Sequence, residues 1–296
     1  VIDGLSLPQK RLSSRWLYDA RGSELFEAIT ELPEYYPTRT ETQILREQAR
    51  GIAEFCGPDR TILEYGAGSG IKTEILIRSL QNPRLYVPVD IAGDCLKQTA
   101  ARFRRLFPDL ATRPVTADFS ADFALPDWIP RPNRVAFFPG STIGNLDARE
   151  ATAFLERMRA QVHGGKAIIG VDLRKPLDVL LAAYDDAAGV TAAFNLNLLA
   201  RINAEVGGNF VLESFNHVVK WNEADSAVEM HLLSPLSQSV TVAGRRFDFA
   251  AGESIHTESS RKYDIARFGA LANRVGWEVA KVWSDRARQF AVFGLI

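Results

Sequence analysis

Cysteine is scarce in this chain of 296 residues: Cys56 and Cys95 have no framework spacing, so a disulfide scaffold is excluded. Histidine is nearly as sparse. His163, His217, His231 and His256 are scattered without a ligand pattern, and no metal site is expected. No apolar run is long enough to span a bilayer and no signal-peptide pattern opens the chain, which sets the expectation of a cytoplasmic protein with no membrane partner. The start at Val1, without a methionine, leaves room for a short preceding segment. Charge of one sign is lacking too. Lys plus Arg number 35 against 36 Asp plus Glu, so nothing global attracts nucleic acid or an anionic surface, and a small molecule is the default partner. The length suffices for one large domain or two modest ones.

What is present is a glycine-rich turn, Glu64-Tyr65-Gly66-Ala67-Gly68-Ser69-Gly70, closing the apolar run Thr61-Ile62-Leu63. Some twenty residues on comes Val87-Pro88-Val89-Asp90. A strand ending at Glu64, glycines that admit a ligand to bare backbone, and a helix from about Ile71 make a nucleotide pocket, with Asp90 placed to accept both ribose hydroxyls. The dinucleotide fingerprint would place its third glycine at position 71, which is Ile71. G-x-G-x-G is instead the spacing of S-adenosylmethionine methyltransferases, whose cofactor has no pyrophosphate for a helix to hold. A tight turn without a ligand is the bland alternative, and Asp90 argues against it.

From residue 40 strand and helix alternate. Thr40-x-x-Gln43 reads as a capping box before Ile44, Leu45, Ala49, Ile52, Ala53 and Cys56, which recur at helical spacing until Gly57-Pro58. Strands are expected at 61–64, 85–89, 113–117, 134–138 and 166–172, and helices at 71–81, 93–107 and 147–163. The last of these helices has a cap at Asp147, Glu150 three residues on and Gly164-Gly165 at its end. This order predicts an α/β fold with a parallel, doubly wound sheet. Residues 174–261 break the pattern with a helical stretch, Leu177 to Val206 interrupted by Gly189, and then alternating runs Val211–Trp221, Ser226–Ser234 and Gln238–Phe249. They read as an antiparallel sheet carrying helices, an α+β insertion. A helix to Val275 and two closing strands, Trp277–Trp283 and Phe290–Ile296, complete the chain. The expected division is 40–173 with 262–296 for the nucleotide-binding domain and 1–39 with 174–261 for a substrate-binding domain.

Four further segments have two readings each. Asp118-Phe119 follows the third strand, where an acid can accept from an adenine amine and a ring can cover the base, or where a cap stands beside a core phenylalanine. Phe138 to Leu146 ends the fourth strand with two glycines and Asn145, a donor and acceptor for a substrate or a polar turn. Leu32-Pro33-Glu34-Tyr35-Tyr36-Pro37 sets two tyrosines between prolines, as substrate contacts or as packing in a linker. The polar clusters Tyr184 to Thr191 and Thr257 to Tyr263 read from composition as solvated faces.

Leu32 to Thr40, Phe138 to Leu146, Tyr184 to Asn195 and Thr257 to Lys262, in this order around such a sheet, resemble the histidine-specific Nα-methyltransferase family of ergothioneine biosynthesis. The resemblance runs from Trp16-Leu17-Tyr18-Asp19 to the final strands. It implies a class I, Rossmann-like methyltransferase that moves three methyl groups from S-adenosyl-L-methionine to the α-amine of L-histidine, giving hercynine. It implies that Tyr35, Asn145 and Tyr184 hold the substrate carboxylate. Glu258 and Ser260 would grip the imidazole with Met230 lining its pocket, and Tyr18, Gly140 and Thr191 would surround the amine, partly through water. Gly66, Gly68, Lys72, Asp90, Asp118 and Phe119 would bind the cofactor. Gly70 departs from the family's turn, and a monomer is compatible with the reading. Against it stand a relative acting on another amine, a sensor that binds S-adenosylmethionine without turnover, and a nicotinamide enzyme, which Ile71 disfavours.

Overall fold

The structure, a computed structural model, describes residues 1–68 and 70–296 and, for Asp94 and Cys95, the backbone only. Ser69 of the glycine turn and the Cys95 thiol therefore lie outside the described residues. Thirteen strands are described: β1 Thr61–Tyr65, β2 Leu85–Asp90, β3 Ala111–Thr112, β4 Val115–Thr116, β5 Arg134–Phe138, β6 Lys166–Asp172, β7 Asn216–Asn222, β8 Ala227–Leu233, β9 Gln238–Val242, β10 Arg245–Phe249, β11 Ser254–Arg261, β12 Val279–Ser284 and β13 Phe290–Leu295. The chain divides into two compact units, Pro37–Arg174 with Lys262–Ile296, and Val1–Tyr36 with Lys175–Arg261.

The first unit is built on one sheet in the order β12-β13-β6-β5-β1-β2-β3, with β4 also on β2. β1, β2, β5 and β6 run parallel, while β13 is antiparallel to both β6 and β12. Successive side chains alternate between two cores. Val135, Phe137, Ile168 and Val292 join Ile44 and Tyr86 on one face, and Phe138, Ile169 and Phe293 join Phe154 and Phe268 on the other. Both faces are covered, so the strands read as continuous apolar runs.

Two local expectations need correction. The strand expected over 113–117 is two short strands, β3 and β4: Pro88 in β2 and Pro114 between the pair lack the N–H groups that would continue the ladder. Thr40 caps nothing. It lies inside a helix, Tyr36–Glu47, whose first turn carries Pro37, where a missing N–H costs no hydrogen bond, and a second helix, Ala49–Cys56, follows the break at Gln48. The helical stretch of the insertion is interrupted at Gly189 as expected: it forms two helices, Leu177–Ala182 and Val190–Val206, the second starting after Gly189 at φ +74°. The capping box at Asp147 is present in full, with Glu150 Oε2 accepting from Asp147 N at 2.7 Å.

The two chain crossings into and out of this unit are stitched together. Tyr263 N donates to Asp172 O at 3.1 Å, Arg174 N donates to Tyr263 O at 2.8 Å, and the fully buried Lys262 Nζ pairs with Asp172 Oδ2 at 2.7 Å.

The second unit holds a three-stranded antiparallel sheet, β11-β8-β7, and the separate hairpin β9-β10, where one antiparallel sheet was expected. Its core gathers Phe194, Leu198 and Ile202 of the helix Val190–Val206 against Val228, Met230 and Leu232. No helix among the described residues is long and apolar enough to cross a membrane.

Candidate active site

In the parallel-sheet unit the candidate residues gather at the carboxyl ends of the strands. Gly66 and Gly68 follow β1 at φ +73° and +44°. A Cβ on Gly68 would meet nothing within 4 Å, whereas one on Gly66 would lie 3.4 Å from the Phe119 ring. Gly70 has a packing reason: at φ +71° it opens the helix Ile71–Ser79, and a Cβ there would come to 2.6 Å from Phe103. Thr99 Oγ1 ties the turn down through Gly68 O at 2.7 Å.

Asp90 ends β2 and accepts from Ala92 N at 2.9 Å. Burial raises its pKa above the usual carboxylate value, against the pull of the N–H groups of Ala92 and Gly68. The next residue, Ile91, is 49% exposed and Ile71 is 48% exposed, two apolar side chains left uncovered around the turn. Glu64, fully buried, is pushed up to about 8 by burial while Thr73 and Tyr86 hydroxyls donate to it. Asp118 closes its own turn, accepting from Ser120 N at 2.9 Å with no helix after it to cap, and Phe119 packs on Phe138 and Phe154.

Sequence reasoning missed Glu41. Its carboxylate is wholly buried, and Oε2 accepts from Lys72 Nζ at 2.6 Å and from Gly140 N at 2.8 Å. Oε1 has no hydrogen-bond partner and abuts Gly170, where a Cβ would collide with it. The available signal was position: Glu41 falls three and four residues before Ile44 and Leu45, on the apolar face of its helix. Gly140 stands at φ +81° beyond β5, and Asn145, half-buried, ends the short 3-10 turn Thr142–Asn145.

In the other unit the second polar cluster is not a solvated face, and the first is one only at Asp185, Ala187 and Ala188. Tyr184 is buried, as are Thr191 and the run Thr257 to Ser260. Glu258 of β11 is the direct cross-strand partner of Met230 on β8, and Ser260, two residues on, shares their face. A bulge between His256 and Glu258 sets this register, with Thr257 Oγ1 donating to Met230 O at 2.9 Å. Tyr184 donates from its hydroxyl to Ser260 Oγ at 2.7 Å, and its ring lies edge-on to Tyr35 at 6.1 Å. Tyr35 and Tyr18 both contact Phe26, at 6.3 and 5.8 Å. Thr191 enters its helix with its N–H on Asp186 Oδ1 at 2.8 Å.

His217 and Asn195 were also missed. Asn195 Nδ2 donates to His231 O at 3.2 Å and lies 2.9 Å from His217 Nδ1, so that ring nitrogen accepts and His217 Nε2–H donates to Tyr184 O at 2.9 Å. The pair fixes the backbone that carries Tyr184. On the opposite face of the same sheet His231 and His256 meet edge-on at 5.2 Å, and burial lowers His256 to about 4. No group of three or more His, Cys, Asp or Glu among the described residues is placed to hold a metal.

The strand order, the bare glycine turn after β1 and the acid ending β2 define a class I S-adenosylmethionine-dependent methyltransferase. The fit to that cofactor rests on Asp90 for the ribose, on open backbone at Gly68 and on the uncovered Ile71 and Ile91. Residues 1–295 match the family described as histidine-specific, SAM-dependent methyltransferases, and the chain belongs to that family. It is 39% identical to the histidine N-alpha-methyltransferase of Mycolicibacterium smegmatis, covering 99% of this chain and 92% of that protein. It is 38% identical to its namesake in Mycobacterium tuberculosis, with the same coverage. A more distant relative is the N-methyltransferase imqF of Aspergillus flavus, 26% identical over 96% of this chain and 80% of that protein.

Proposed function

We propose that the chain transfers methyl groups from S-adenosyl-L-methionine to the α-amine of L-histidine, three times in succession, and so supplies hercynine to ergothioneine biosynthesis. The observation that carries this reading is the face shared by Met230, Glu258 and Ser260, a carboxylate and a hydroxyl set beside an apolar wall. An imidazole satisfies both polar groups through its two ring nitrogens. An apolar side chain would leave the carboxylate unpaired, and discrimination of that kind can reach roughly 10⁴ to 10⁵.

Tyr35, Tyr184 and Asn145 serve the substrate carboxylate in this reading, and Tyr18, Thr191 and Gly140 surround the amine. Gly66, Gly68, Lys72, Asp90, Asp118 and Phe119 hold the cofactor, which when bound offers an electrophilic methyl on a sulfonium. The chain's own residues need only present a neutral amine in line with it. A peptide α-amine with a pKa near 8 is about a quarter neutral at pH 7.5, a cost of roughly 0.8 kcal/mol, and a free amino acid, with its carboxylate nearby, costs somewhat more. No strong base is required. Positioning of two reactants supplies on the order of 7 to 11 kcal/mol, and a tyrosine hydroxyl or water takes the proton. With the carboxylate and ring held, the amine pivots to present its lone pair after each transfer.

The test is mass spectrometry of the protein incubated with S-adenosylmethionine and an equimolar mixture of free amino acids. Histidine alone should gain three methyl groups. Methylation of another amino acid would leave fold and cofactor standing and overturn the Glu258 and Ser260 assignment; no methylation at all would move a cofactor-sensing role to the front.

A further inference from the structure

Glu41 belongs to none of the contacts assigned above, yet its carboxylate is fully buried, as completely as that of Asp172 at the end of β6. Burying a carboxylate with one oxygen unpaired is costly, and a buried ion pair is poor evidence of a purely stabilising role. Its geometry is specific. One oxygen, Oε2, takes both the Lys72 ammonium at 2.6 Å and the Gly140 N–H at 2.8 Å, and Gly170 supplies the bare backbone that makes room for the other oxygen.

The consequence for each partner differs. Lys72 is a long, flexible side chain in the first turn of the helix after the glycine turn, and the carboxylate holds its ammonium in one place while leaving two of its three N–H bonds for other acceptors. The Pro139–Gly140 peptide is clamped at both edges, its N–H by Glu41 and its carbonyl by Thr142 Oγ1 at 3.0 Å. A planar peptide held at both edges cannot rotate. Gly140 therefore keeps its φ of +81°, and a Cβ there would lie 3.7 Å from Lys72 Nζ.

We infer that Glu41 is a positioning residue: it presents the Lys72 ammonium to the carboxylate of the cofactor's methionine moiety and fixes the Gly140 peptide against the same anchor. The inference rests on the methyltransferase reading above. It predicts that the effect of Glu41 on cofactor affinity passes through Lys72.

The experiment is calorimetric titration of S-adenosylhomocysteine into the full chain, its Glu41→Gln, Lys72→Met and doubly substituted forms, with thermal unfolding of each protein without ligand. Glu41→Gln should weaken binding about tenfold to a hundredfold, the range of one charge-assisted hydrogen bond, while the midpoint of unfolding moves by no more than about 4 °C. The double variant should bind no more weakly than Lys72→Met alone. Glu41→Asp, which keeps the charge but withdraws it by one methylene, should lie between wild type and Glu41→Gln and carries the test if the glutamine variant does not fold. Unchanged affinity in Glu41→Gln, or losses that add in the double variant, overturn the inference alone. Failure of the wild-type protein to bind S-adenosylhomocysteine overturns the methyltransferase reading, and the inference with it.

Discussion

In the parallel-sheet unit the candidate ligand contacts sit where strands end: glycines at positive φ, an aspartate closing β2, a glycine peptide past β5. In the unit of residues 1–36 and 175–261 they stand instead on the middle of an antiparallel face, where Met230, Glu258 and Ser260 project from strands and Tyr184 joins them by a hydrogen bond. The first arrangement shapes backbone, the second shapes side chains. Backbone contacts suit a cofactor common to many enzymes, because they leave strand interiors free to pack. Side-chain contacts suit a substrate that must be told from its neighbours.

The units should also differ in what breaks them. The largest effect is expected where the chain enters and leaves the parallel-sheet unit: Lys262→Ala takes the ammonium away from the buried Asp172 carboxylate and should cost about 3 to 5 kcal/mol in chemical denaturation. Asp172→Leu with Lys262→Met should recover most of that loss, since two apolar side chains replace the pair.

Similar in size are opposite responses to pH, roughly 3 to 5 kcal/mol each. Glu64, raised to about 8 beside Thr73, Tyr86, Lys72 and Asp90, holds its proton in the folded state; its contribution is full below about pH 4.5 and is lost as pH rises toward 8. His256, lowered to about 4 beside His231, Glu229, Arg11 and Arg261, contributes fully above about pH 6.5 and loses that contribution as pH falls toward 4. Midpoints of thermal unfolding followed from pH 4 to 9 should lose their alkaline decline in Glu64→Gln and part of their acid decline in His256→Gln. The comparison breaks if either substitution flattens the other's limb.

Gly66→Ala is smaller. Positive φ costs about 1 to 2 kcal/mol, and the new methyl comes into contact with the Phe119 ring at 3.4 Å, so stability and S-adenosylhomocysteine affinity should fall together. Smallest is Arg50→Ala, which removes an exposed pair with Glu54 and should shift stability by less than about 0.5 kcal/mol.

How much the sequence discloses follows the same division. Strands β1, β2, β5 and β6 are legible because they are apolar runs closed by glycines or acids, and the helix after Asp147 because its capping box is local. The split of β3 from β4 is not, because it depends on Pro88 meeting Pro114 across the ladder. Thr257 to Ser260 looks solvated by composition and is buried, since polarity alone cannot say that a β-bulge turns Glu258 onto the Met230 side of its sheet. Glu41 stayed hidden for a related reason: its partners lie 31 and 99 residues away. Only the resemblance of whole segments to a family pointed to residues on that sheet face.

The most direct test crosses two variants with two ligands by calorimetry. Glu258→Ala should lose histidine affinity by a hundredfold or more with S-adenosylhomocysteine affinity within about threefold, and Asp90→Ala should lose S-adenosylhomocysteine by about a hundredfold while histidine stays within about threefold. Losses confined to one ligand in each variant are the predicted result. Equal losses of both ligands in either variant would contradict the division of recognition between backbone turn and sheet face.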